Sequence, residues 1–508
     1  MNFRAVAQML GVVLLLMAGF LTIPAAVGVG LGERGPATSC ALAAAVTALL
    51  GGLVTFISRG ATRDARQRPD YFRREGLATV GLAWLVGGVA GALPFLFEGT
   101  ITSPLDAFFE SVSGLTTTGS TIMSGEQIDS MPDTIAFWRS FSQWIGGFGI
   151  VMVFVVIFPT GGRNLFRSEV PGITREAGHQ RVRDAALMLM KIYLALSVTL
   201  LAVLIVVGLP VFDAVIHTFT TVANGGFSNH SESIAYFDSA LVESVLVVFM
   251  LLSALNFAIY DTLIRVGPRP AWRKLVGSLE VRLFFGLVVG ASLAIGAVLW
   301  AAGAGSAVAG SAGAGGAWTA PSGPVEALRL SIFHVVCLIT GGGYSTANFD
   351  AWPQFCRLVL LLLAFCGACA GSTSGGLKLV RIAIVFKAAL VAVRRFARPR
   401  VIHQVRIDGQ VLDESVVASV TGYLVLWLLA FLAATTLLGA YGIDLETSAS
   451  AVLVTLNNVG PGLGGVGPAS NFGDLPAVAK FVLSICMVLG RLEFYALVAL
   501  LMPTFWRR

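Results

Sequence analysis

Four short glycine-centred stretches hold the residues of this chain whose types and spacing could do chemistry. They read Thr116-Thr117-Thr118-Gly119-Ser120-Thr121, Ala223-Asn224-Gly225-Gly226-Phe227-Ser228, Thr340-Gly341-Gly342-Gly343-Tyr344-Ser345 and Asn457-Asn458-Val459-Gly460-Pro461-Gly462. A glycine at a shared position lets the backbone turn so that successive carbonyl oxygens point inward, and four such sets of oxygens can replace the hydration shell of a cation. No charged side chain lies in any of the turns, which disfavours a divalent-cation or anion site and calls for a monovalent cation. The expected ligand positions are Thr117, Thr118, Gly119, Asn224, Gly225, Gly226, Gly341, Gly342, Gly343, Asn458, Val459 and Gly460.

Each turn follows a half-apolar stretch too short to cross a bilayer, at 105–116, 213–224, 326–340 and 446–458. Each stretch starts near an acid (Asp106, Asp213, Glu326, Glu446), as a helix N-terminus favours, so the stretches read as short re-entrant helices whose negative C-terminal ends aim at the turns. Glu110, His217, His334 and Ala451 precede Gly119, Gly226, Gly343 and Gly460 by the same interval, which defines a repeat of about 110 residues. The two histidines at matching positions are expected to pack or hydrogen-bond rather than to bind metal.

The elements that position these turns must lie in a membrane. Of 508 residues, 56% are hydrophobic and 12% charged, and the mean hydropathy is +0.82. That is too little polar side chain to cover a water-facing surface of this size, so soluble domains and disorder are both excluded. Runs long enough to span, about 20 apolar residues each, lie near 5–31, 38–57, 77–97, 136–158, 185–209, 239–264, 283–302, 355–386, 415–440 and 475–502. The expected fold is an all-α polytopic membrane protein of ten transmembrane helices. Four span, re-entrant helix, span units (77–184, 185–282, 283–414, 415–508) surround one pore, and residues 1–76 add two helices and a basic loop.

The balance of 34 Lys and Arg against 28 Asp and Glu is +6, but it is not one basic patch, so nucleic acid is not an expected partner. Basic residues gather in alternate connections: Arg59 to Arg74, Arg163 to Lys191, Arg265 to Arg282 and Lys378 to Arg406. Acids dominate the others, with Glu98, Asp106, Glu110, Glu126, Asp129 and Asp133 in one. Retention of Lys and Arg on the cytoplasmic side puts both termini there. The run at 5–31 is read as an uncleaved first helix, and the six cysteines as reduced and packed. Residues 301–324, mostly Ala, Gly and Ser, read as an outer linker.

Two features sit inside the apolar runs. The eighth run contains Gly367-Ala-Cys-Ala-Gly371-Ser372-Thr373-Ser374-Gly375-Gly376, costly as helix at about 1 kcal/mol per glycine, so an unwound segment is expected. Arg491 lies about 12 residues before Pro503, near mid-membrane, where a charge faces a cavity or a partner. Lys378 follows the glycine stretch and could serve similarly or snorkel to the inner surface.

The pieces Glu110-Ser-Val-Ser-Gly-Leu-Thr-Thr-Thr-Gly119, Gly225-Gly-Phe-Ser228, Gly371-Ser-Thr-Ser-Gly-Gly-Leu-Lys378, Asn457-Asn-Val-Gly-Pro-Gly-Leu-Gly464 and Gly490-Arg-Leu-Glu493 together resemble the bacterial Trk/Ktr potassium-uptake superfamily, which includes the plant HKT transporters. The resemblance covers residues 77–508, and the two extra N-terminal spans look like its TrkH type. It implies a potassium-selective, pore-forming subunit of the cell inner membrane, usually homodimeric. It also implies cytosolic nucleotide-binding regulatory subunits of the TrkA type. Gly367, Gly371, Ser372, Thr373, Ser374, Gly375 and Gly376 then resemble an intramembrane gate beneath the filter, with Arg491 and Lys378 as pore charges. In the superfamily a Ser at a filter Gly position goes with sodium transport, and all four positions here are Gly.

Potassium is the only ion expected at the site, with no organic cofactor, and membrane lipid surrounds the chain. No catalytic cluster appears at one depth, so an enzyme is not expected. No P-loop or strand-linked GxGxxG appears either, so nucleotide control would come from a partner. The alternative is a sodium- or proton-coupled transporter of another solute, since glycine-broken helices occur there too.

Overall fold

The computed structural model describes residues 2–59, 71–157, 179–309, 321–398, 404–492 and 494–506. Basic residues between 60 and 70, between 158 and 178 and at 399–403, together with Glu493, Arg507 and Arg508, lie outside the described residues. Among the described residues the regular structure is helix apart from a two-stranded hairpin that pairs Arg406 with Val411 and Ile407 with Gln410.

Six helices are single rods long and apolar enough to cross a bilayer: Phe3–Leu31, Arg34–Ile57, Arg74–Glu98, Leu187–Val207, Leu279–Gly303 and Glu414–Ala440. Their outer faces are apolar and exposed, as at Leu49 (73%) and Val206 (85%), which is the pattern of surface solvated by hydrocarbon. The first two helices pack through small residues, and a Cβ on Gly51 would lie 2.9 Å from the Gly11 carbonyl oxygen.

Three of the expected spans are not continuous helices. The run at 239–264 is Ala240–Ala254 followed by Phe257–Arg265, bent by 85°. The run at 355–386 is helical over Gln354–Cys366, irregular from Gly367 to Lys378, and helical again over Leu379–Ala397. The run at 475–502 is Ala477–Arg491 and then Tyr495–Leu501. Arg491 therefore ends a helix instead of standing inside one.

The four short stretches are helices Pro104–Leu115, Val211–Val222, Pro324–Thr340 and Leu445–Leu456. Their starts are chemically marked. Pro104 and Pro324 occupy first-turn positions where no N–H is needed. The Ser103 and Asp444 side chains accept from the Asp106 and Thr447 amides. Each first turn carries an acid, and almost every residue of each second half is buried.

Candidate functional site

Each short helix unwinds into its glycine turn through a left-handed residue at one shared position: Thr117 (φ 56°), Asn224 (φ 53°), Gly341 (φ 78°) and Asn458 (φ 53°). Two residues on, Gly119 (φ 82°), Gly226 (φ 77°) and Gly343 (φ 63°) are also left-handed. The four turns then touch in a closed cycle. A Cβ on Gly119 would collide with the Gly225 carbonyl oxygen, and one on Gly226 with that of Gly342. One on Gly343 would lie 3.2 Å from the Gly460 nitrogen, and one on Gly460 would lie 3.2 Å from the Gly119 oxygen. Any side chain at these positions would intrude on its neighbour's backbone, which is the physical reason for glycine here. Ser120 Oγ donates to the Gly460 carbonyl at 2.9 Å and closes the first turn onto the fourth.

Polar side chains one to two helical turns back brace each loop. Glu110 accepts from the Ile122 amide at 3.0 Å and from Thr121 Oγ1 at 2.9 Å. His217 donates through Nδ1 to the Asp213 carbonyl, leaving Nε2 to accept from Ser228 Oγ at 3.2 Å. His334 repeats the pattern, with Nδ1 to the Leu330 carbonyl and Nε2 accepting from the Thr346 amide. In the fourth unit, where the matching position is Ala451, the neighbouring Ser450 Oγ accepts from the Leu463 amide at 3.0 Å. Glu110 is also paired with Arg139 at 2.7 Å, both buried. Arg139 in turn donates to the Ser228 carbonyl at 2.7 Å and lies 3.7 Å over the Phe227 ring. Gln143 Nε2 donates to the Gly225 carbonyl at 2.7 Å, and its Oε1 accepts from the Phe227 amide.

Beyond the glycines, Ser120, Thr121, Ser228, Ser231, Ser345 and Ser470 are among the residues lining a cavity of about 90 Å³. Before the glycines, three equivalent positions hold a buried side-chain oxygen with no hydrogen-bond partner: Thr117 Oγ1, Asn224 Oδ1 and Asn458 Oδ1. The turns thus combine backbone carbonyls, hydroxyls and amide oxygens without a charged side chain, a donor set suited to an alkali cation.

The irregular segment Gly367 to Lys378 lies on the helix-terminus side of the turns. Thr373 Oγ1 donates to the Val222 carbonyl and accepts from Asn224 Nδ2 at 2.9 Å. The Leu377 amide donates to Asn457 Oδ1 at 3.2 Å, and a Cβ on Gly375 would press on the Asn458 side chain. Glu280 Oε1 accepts from the Ala370 amide at 2.7 Å. Arg491 Nη1 donates to the Thr373 carbonyl at 3.0 Å and Nη2 to the Gly146 carbonyl at 2.8 Å. Lys378 Nζ donates to the Ser374 carbonyl.

The sequence-derived residues therefore come together as a ring of turns with one irregular segment against it. Sequence reasoning missed the braces Arg139, Gln143 and Glu280. Arg139 and Gln143 sat in plain view inside the apolar run at 136–158, where a polar side chain asks for a partner. The left-handed Asn224 and Asn458 were also signalled, since Asn tolerates that conformation better than other non-glycine residues.

The fold and site define a multi-span helical membrane protein with four glycine turns closed on one another. Within that class the chain belongs to the TrkH family of cation transport proteins, whose family model matches residues 47–506. It is 35% identical over 513 aligned residues to the Trk system potassium uptake protein TrkH of Salmonella typhimurium, covering 100% of both chains. It is 36% identical to that of Vibrio parahaemolyticus over 515 residues, again covering 100% of both. The crystal structure of the potassium transporter TrkH from Vibrio parahaemolyticus superposes with a TM-score of 0.86 at 34% identity and covers 100% of each chain.

Proposed function

We propose that this chain is the pore-forming subunit of a potassium uptake system in the bacterial inner membrane, and that potassium passes through the ring of four glycine turns. The observation that carries the reading is the closed contact cycle from Gly119 to Gly225, Gly226 to Gly342, Gly343 to Gly460 and back to Gly119. Thr117, Thr118, Gly119, Asn224, Gly225, Gly226, Gly341, Gly342, Gly343, Asn458, Val459 and Gly460 supply the oxygens that replace the ion's hydration shell.

Ten crossings follow when the helix Asp133–Ile157 is added to the six single rods and the bent pair and the two interrupted runs each count as one, and four repeating units at 77–184, 185–282, 283–414 and 415–508 surround the pore. Both termini are cytoplasmic. The segment Gly367 to Gly376 is the gate, held under the turns by Arg491, Glu280 and Thr373. Arg491 and Lys378 place positive charge on the inner side of the ring. A homodimer with cytosolic nucleotide-binding subunits of the TrkA type is the expected assembly, the relatives being named as parts of a Trk system.

Growth of a potassium-uptake-deficient bacterium on low potassium, with rubidium influx into proteoliposomes, tests the reading. Gly119→Arg and Gly343→Ala are expected to abolish influx in protein that still inserts. Influx equal to the parent in both variants would sink the assignment of the ring as the ion path.

A further inference from the structure

Apart from the ion path, the structure contains a partly open space of about 270 Å³, formed by four helices: Phe3–Leu31, Tyr71–Glu98, Asp133–Ile157 and His179–Val207. None of the described residues that line it is charged. Val13, Met17 and Trp84 form part of its wall, and its inner end reaches Leu115 and Gly146. The polar tips of the lining aromatics mostly point to protein partners. Trp144 Nε1 donates to Ser197 Oγ at 3.0 Å, Tyr193 Oη donates to the Trp144 carbonyl at 3.0 Å, and Trp84 Nε1 is left without one. A dry apolar cavity of 150 Å³ suffices for a benzene-sized guest, so this space has room for a longer one.

Two observations fix the class of guest. Leu16 and Leu194, which line the space from two different helices, are each 40% exposed. They stand on helices that are apolar along their length and long enough to span, so the medium outside the opening is hydrocarbon. The opening is therefore continuous with the lipid-facing wall. We propose that the cavity takes one acyl chain of a bilayer phospholipid. Each methylene moved into such a site loses nothing relative to the bilayer and gains close packing against aromatic walls.

Resting on the proposed ion path and gate, the site also reaches the conduction machinery. Gly146 is both part of the cavity wall and the acceptor of Arg491 Nη2, whose other terminal nitrogen holds the Thr373 carbonyl. A chain seated against Gly146 backs the carbonyl that anchors Arg491, so occupancy biases how firmly the irregular segment is held.

The test uses the intact protein in vesicles of dibrominated phosphatidylcholine, in which bromine quenches tryptophan within contact range. Gly149 lines the cavity, and a Cβ there would meet only Trp84 at 3.8 Å, so Gly149→Leu is the variant chosen to occupy the space. Wild-type emission is expected to be quenched more than that of Gly149→Leu. The difference should match the quenching lost when Trp84→Phe and Trp144→Phe are combined. Gly87→Leu, whose Cβ would lie 3.6 Å from Leu115 Cδ1, is read the same way if Gly149→Leu does not fold. Equal quenching in wild type and the filled variant would overturn the site, and quenching by a free dibrominated fatty acid alone would overturn its assignment to phospholipid. Rubidium influx in the same vesicles should differ at least about twofold between wild type and Gly149→Leu. Unchanged influx would remove the link to Arg491. The optical readout needs no ion flow, so it stands or falls independently of the proposed potassium path.

Discussion

A left-handed backbone costs a non-glycine residue on the order of 1–2 kcal/mol, and Thr117, Asn224 and Asn458 all adopt it. Asparagine tolerates the conformation, so its presence at two equivalent positions is a signal of it that the sequence carries. Thr117 is β-branched and gave no such signal; its conformation is imposed by the helix behind it and by the Thr118 amide, which donates back to the Ser113 carbonyl. The braces that hold these residues are polar and buried, and Glu110 with Arg139 is a fully charged one. Removing one member of a buried pair strands the other charge and costs about 3–5 kcal/mol, whereas removing both costs far less. Arg139→Leu is therefore expected to lower the temperature at which detergent-solubilised protein loses its monodisperse elution peak. The double change Arg139→Leu with Glu110→Gln should recover part of the loss. A single variant as heat-resistant as the parent would show that the pair is not what holds the first and second turns together.

Helix breaks differ in how far the sequence announces them. The interruption at Gly367 to Lys378 is written in its glycines, three of which (Gly367, Gly371, Gly376) have positive φ. The bend between Ala254 and Phe257 has no glycine or proline to mark it. It is made by tertiary hydrogen bonds: the Phe257 amide donates to the Gly371 carbonyl, and the Thr373 amide to the Ser253 carbonyl. The glycine segment thus supplies partners that the helix gives up, and one irregular element stabilises another. No local pattern encodes such an exchange. Arg491 shows the same thing, since its place at a helix end depends on carbonyls far away in the chain. If the segment obstructs the pore when Arg491 holds it, Arg491→Ala removes charge-assisted hydrogen bonds worth about 1.5–3 kcal/mol from the closed arrangement. Rubidium influx should then rise by a factor of about 10 or more, because 1.4 kcal/mol is tenfold in an equilibrium. Lower or unchanged influx from folded protein would assign Arg491 to stability alone. Gly375→Val is expected to act in the opposite sense at this element, because a side chain there presses on Asn458 and wedges the segment against the fourth turn. The same influx assay should read little or no transport.

At the scale of the whole molecule, ion pairs tie successive parts of the ring together. Lys480 meets Asp106 at 2.8 Å, Arg329 meets Glu243 at 3.1 Å, and Arg357 bridges Asp350 and Glu446. Asp106 and Glu446 are first-turn acids of short helices, so the side on which those helices begin is also the side where the acidic connections lie. The basic connections fall on the other side, at Arg265, Arg273, Lys274, Arg394, Arg395 and Arg398 among the described residues. Charge near the ends of spans sets orientation through retention of Lys and Arg in the cytoplasm. The charge pattern alone predicts this orientation, because orientation depends on counts near span ends and not on tertiary contacts. It leads to a definite expectation. A green fluorescent protein fused after residue 508 should fluoresce, since it folds only in the cytoplasm, and alkaline phosphatase at the same point should be inactive. Alkaline phosphatase fused in the acidic connection near Asp129 should be active. The reverse pattern would turn the molecule over. The acidic rim would then face the cytoplasm, where it could not gather cations from outside, and the proposed regulatory partner would lose the basic face it docks against.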